Sequence, residues 1–111
     1  MRSLGAYHVG KAYWGAQPLP EQAPFRLDFT AKGNSPMPAS GMLLGYFGKP
    51  GQPTHVLVVN LDYRNAVTTT VVGPGPLAAF DAVQRKWEKP SGPQMTLTLP
   101  PGGGTLVRIA E

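Results

Sequence analysis

His55-Val56-Leu57-Val58-Val59-Asn60-Leu61-Asp62-Tyr63 is the run whose reading decides the fold. Its aliphatic stretch, Val56 to Val59, is too short for an amphipathic helix and lies between Gly51-Gln52-Pro53 and Arg64-Asn65, so it reads as a buried strand. Both faces of that strand are apolar. It therefore needs neighbours in a sheet and a covering layer on each side, or at least one covering layer and crowded flanks. Asn60 and Asp62 are expected to mark where the strand leaves the core, because their side chains bond turn backbone and suit strands poorly.

Toward the amino terminus, Met42 to Phe47 reads as a strand, joined to the central run across Gly48-Lys49-Pro50-Gly51 in an antiparallel pair. Residues 33–40 form a loop by composition. Phe25, Leu27 and Phe29 alternate with Arg26, Asp28 and Thr30, the pattern of a strand with one wet face. Residues 3–10 predict a short edge strand. Residues 11–20, broken by Pro18-Leu19-Pro20, predict an extended connection.

Toward the carboxyl terminus, Ala66 to Val72 is rich in β-branched residues, which suits a strand. Leu77 to Val83 is made of helix formers, and a short helix stays open there. The alternation of Ala78, Phe80 and Ala82 favours a strand, since Gln84 to Lys86 reads as a hairpin tip and Trp87 as the start of its partner. Met95, Leu97 and Leu99 alternate with threonines. The turn Pro100 to Gly104 then leads into a last strand over Thr105 to Ile109, with Val107 and Ile109 on one side. Seven or eight strands at intervals of about ten residues, with no amphipathic helix, predict an all-β fold, a two-sheet antiparallel β-sandwich. A partly closed barrel is the alternative.

The bulk composition agrees with one domain. The 111 residues suffice for a single modest core. Fourteen glycines and thirteen prolines fall between apolar runs and hardly ever inside them, which is the punctuation of a turn-rich β protein. The absence of cysteine removes disulfides, thiolate metal sites and a thiol nucleophile together. The net charge of +4 is spread singly, and its one cluster, Arg85-Lys86 with Lys89, is interrupted by Glu88, so nucleic acid is not an expected partner. No window approaches ~18 consecutive apolar residues, and Met1 to Gly5 lacks a signal-peptide core, so no membrane helix is expected. The abrupt start of the pattern suggests a segment cut from a longer protein.

Chemistry is thinly supplied. The carboxylates are Glu21, Asp28, Asp62, Asp81, Glu88 and Glu111, and the one pair worth testing as acid and base is Asp62 with Asp81. Turn capping by each competes with that role. His8 and His55 are too few to hold a metal, and no metal or other cofactor is expected. Ser3, Ser35, Ser40 and Ser91 are loop serines outside any nucleophile motif. Pro101-Gly102-Gly103-Gly104-Thr105 lacks the lysine and helix of a phosphate loop. Aromatic residues remain: Tyr13, Trp14 and Trp87 lie in or beside loops, where flat rings serve as sugar platforms or as contacts with a neighbouring domain.

From the central run onward the chain resembles the C-terminal β-sandwich that follows the catalytic barrel in many glycoside hydrolases. The likeness lies in His55-Val-Leu-Val-Val-Asn60-Leu-Asp62, Val67-Thr-Thr-Thr-Val-Val72, Ala79-Phe80-Asp81 with the hairpin to Trp87, and Met95-Thr-Leu-Thr-Leu99 with Pro-Pro-Gly102 through Ile109. It covers residues 42–109 well and 4–20 loosely. The hairpin Gln84-Arg85-Lys86 departs from it, lacking the Thr-Gly that often stands there. The resemblance implies an accessory, non-catalytic role, with residues 1–111 a single domain from the carboxyl end of its parent and the parent's catalytic domain as partner. No catalytic residue carries over. A carbohydrate-binding module using Tyr13, Trp14 or Trp87 is the alternative.

Overall fold

The computed structural model describes residues 2–9, 16–18, 25–29, 34, 41–49, 52–81, 84–88 and 92–109. Among them are ten strands: β1 (Arg2–Val9), β2 (Gln17–Pro18), β3 (Arg26–Asp28), β4 (Met42–Lys49), β5 (Gln52–Asn60), β6 (Val67–Val72), β7 (Leu77–Asp81), β8 (Lys86–Trp87), β9 (Gln94–Leu99) and β10 (Gly104–Ile109). They form two layers, a seven-stranded sheet ordered β2-β1-β4-β5-β10-β7-β8 and a three-stranded sheet ordered β3-β6-β9. The fold is the all-β, two-sheet arrangement expected. Eight of the strands exceed two residues; β2 and β8 are two-residue additions at the rims. All pairings are antiparallel except β1 with β2, so β1 is not the edge that its composition suggested.

The central run occupies the middle of the large sheet, between β4 and β10. Val56 and Val58 point inward and are fully buried with Leu44, Val107 and Leu77 of the same sheet and Val71 and Leu99 of the other. Alternation accounts for this: every second residue of each strand reaches the gap between the layers, where aliphatic burial supplies the main driving force. Leu77 to Asp81 is a strand, and Ala78 and Phe80 share a face as the alternation predicts. Helix propensity lost there because β10 offers a ladder partner for Leu77 to Ala79.

Asn60 is the last residue of β5, and its side chain bonds turn backbone, as expected of the residue that marks where the strand leaves the core. It is fully buried, and its side chain joins two turns: Nδ2 donates to the carbonyls of Asn65 (2.9 Å) and Pro100 (3.2 Å), while Oδ1 accepts the Asp62 N–H (2.9 Å). The backbone continues the seam, with Asn60 N–H donating to Gly103 and Gly102 N–H to Asp62. Gly102 has φ +65°, a conformation that strains any side chain, and a β-carbon there would stand 2.8 Å from the exposed Tyr63 ring, which would have to swing aside. At the β7–β8 tip, where the resemblance would place Thr-Gly, Arg85 itself takes φ 55°.

Candidate functional site

Cross-strand partners project to the same side of a sheet, so the registers define each outer face. On the small sheet the row is polar. Thr68 faces Thr98 and Thr70 faces Thr96, their hydroxyls 3.0 and 3.3 Å apart, with Asn34 Nδ2 donating to Thr70 Oγ1 at 3.0 Å. That is the usual solvent side of an antiparallel sheet.

The outer face of the large sheet is different. One row runs Phe47, His55, Arg108, Ala78; the next runs Gly45, Leu57, Leu106; the third runs Leu43, Val59, Gly104. Leu57 is 36% exposed at the centre of the large sheet. The central strand is thus apolar on both faces, as read, but the described residues cover only its inner face.

At one end of this face stands Trp87, the one proposed site residue that lies among the described residues; Tyr13 and Trp14 lie outside them. The indole is partly buried and meets Phe80 edge-on at 5.3 Å and His55 at 5.7 Å between ring centroids. The Arg108 guanidinium carbon sits 4.2 Å from the centroid of the indole, a cation–π contact that takes one of its two faces away from any ligand. Arg108 Nε is buried and, among the described residues, has no hydrogen-bond acceptor.

His55 completes the cluster, with Nδ1 2.7 Å from Thr54 Oγ1. Burial, and then the neighbouring positive charge of Arg108, push its pKa below the ordinary 6.5. The unfolded chain therefore binds more protons than the folded one between the folded pKa and 6.5, and stability falls as pH drops through that window. The melting temperature is expected to decline on going from pH 7 to pH 5, and the His55→Gln variant to show a shallower decline. Equal slopes in the two proteins would contradict this coupling.

The two histidines stand apart. His8 lies in the row of Leu43 and Val59, whereas His55 lies four residues further along β5, about 13 Å away along the strand. Among the described residues no three of His, Asp and Glu converge as a metal set. Asp62 Oδ1 accepts the backbone N–H groups of Arg64 (2.8 Å) and Asn65 (3.1 Å), bonds that hold its carboxyl below the usual carboxylate range. Asp81 Oδ1 accepts the Gln84 N–H at 3.1 Å. Each caps its own turn.

Sequence reasoning missed Arg108, and the lone cation within a strand of aliphatic residues was the signal available. Comparisons of the chain with protein families, with curated proteins and with solved structures find no match.

Proposed function

We propose that this domain is the accessory, non-catalytic β-sandwich of a carbohydrate-active enzyme, a glycoside hydrolase, and that it packs against the parent's catalytic domain through the outer face of the large sheet. The contrast between the two outer faces carries the reading: threonines cover one, while Leu43, Leu57, Val59 and Leu106 cover the other. A sheet face built of aliphatic residues gains by being covered. The glycoside hydrolase assignment rests on the sequence resemblance.

The test uses the full-length chain that carries this domain. Leu57→Lys with Leu106→Lys is expected to leave the melting of the isolated domain nearly unchanged, because both side chains point away from the core. In the full-length chain the same pair is expected to lower the melting temperature by about 5 °C or more and to split one transition into two. An unchanged single transition would sink the docking reading. Retardation of the isolated domain in a glycan gel, abolished by Trp87→Ala, would favour a carbohydrate-binding role instead.

A further inference from the structure

Arg108 stands inside the outer face of the large sheet, not at its rim. Its strand, β10, has β5 on one side and β7 on the other. On that face its neighbours are His55 across one ladder, Ala78 across the other, and Leu106 two residues back, about 7 Å along the strand. Leu106 in turn is paired with Leu57, and His55 with Phe47. None of these is a carboxylate. The partner that the guanidinium does have among the described residues is an aromatic ring, the Trp87 indole, 4.2 Å from its carbon to the ring centroid. That contact fixes where the charge sits but does not neutralise it.

A domain that covers Leu57 and Leu106 also reaches Arg108, because Leu106 and Arg108 are successive residues on one face of one strand. Taking a cation out of water without an opposite charge is strongly unfavourable, and a cation–π contact offsets only a part of that cost. His55, held below its ordinary 6.5 by burial and by Arg108, adds no second charge at pH 7. The charge to be matched is therefore a single positive one. Because Nε is buried, an incoming acceptor meets the terminal nitrogens of the guanidinium.

We propose that the parent's catalytic domain presents an aspartate or glutamate to this face, and that its carboxylate pairs end-on with the Arg108 guanidinium beside Trp87. This rests on the docking reading above and adds to it the chemistry of the partner surface: apolar opposite Leu57 and Leu106, with one acid opposite the next row. The leucines supply the buried area. The ion pair fixes which way round the two surfaces meet.

His55 is the probe, since it lies across the ladder from Arg108. Its pKa is read by NMR titration in the isolated domain and in the full-length chain, the resonance being assigned with His55→Gln. Covering without an acid lowers the value further, whereas a carboxylate at Arg108 is expected to raise it by about half a pH unit or more. The Arg108→Gln variant gives a second readout. It is expected to lower the melting temperature of the full-length chain by about 5 °C more than that of the isolated domain, because a covered carboxylate loses its cation. A cover without an acid gives the opposite sign, a smaller loss in the full-length chain. A His55 value that falls or stays the same while Leu57→Lys with Leu106→Lys still splits the full-length transition overturns this proposal alone. An unchanged value together with an unsplit transition means that the face is not covered, and the docking reading falls with it.

Discussion

Replacing Asn60 with alanine is expected to lower unfolding stability by about 3 kcal/mol, the sum of three groups each losing its partner at about 1 kcal/mol or more. The groups are the carbonyls of Asn65 and Pro100 and the N–H of Asp62. Asn60 is fully buried, so water does not readily replace its amide. For a domain of this size the loss corresponds to a fall in melting temperature of roughly 10–20 °C. The Asn60→Asp variant separates hydrogen bonding from volume. It keeps an acceptor for Asp62 N–H but points a carboxylate at two carbonyl oxygens, so its carboxyl is expected to titrate above the unfolded value. That variant should be more stable near pH 4 than at pH 7, the reverse of an ordinary paired aspartate. Denaturant titrations at both pH values read the effect, and an alanine variant within 1 kcal/mol of the parent would show that the two turns do not depend on this amide.

The strands were legible because alternation and turn residues are local properties. Phe25, Leu27 and Phe29, or Met95, Leu97 and Leu99, declare a face without reference to anything distant. Leu77 to Asp81 was ambiguous for the same reason: alanine and leucine suit a helix locally, and only pairing with β10 decides for a strand. Asn60 was legible as the residue that ends the strand and bonds turn backbone, but its full burial was not. Its burial depends on Pro100 of a turn forty residues away closing over it. The site was less legible still. A continuous run such as Val56 to Val59 states that both faces are apolar, yet it does not state whether the second cover belongs to the same domain. The Trp87–Arg108 contact arises through the β5–β10–β7–β8 ladders, and no spacing within the chain encodes it.

A polar bond through the core also joins the two layers, and that bond gives the second large effect. Tyr46 on β4 of the large sheet is buried, and its hydroxyl donates to the carbonyl of Phe25, next to β3 of the small sheet, at 2.6 Å. Its ring packs against those of Phe25 and Tyr7, with centroids at 5.7 and 4.9 Å. Tyr46→Phe keeps the ring contacts and removes only the hydroxyl, leaving the Phe25 carbonyl without its donor, and is expected to cost about 1–3 kcal/mol. Burial pushes the phenol up to about 12 from its ordinary 10.0. Between those values the folded chain holds a proton that the unfolded chain has released, so stability is full below pH 10 and falls as pH rises toward 12. The Tyr46→Phe variant, lacking the group, should be less stable than the parent at neutral pH and lose less from pH 9 to pH 11.5. Urea unfolding across that range decides the matter. Parallel losses in both proteins would mean that the phenol is not held between the layers as its hydrogen bond implies.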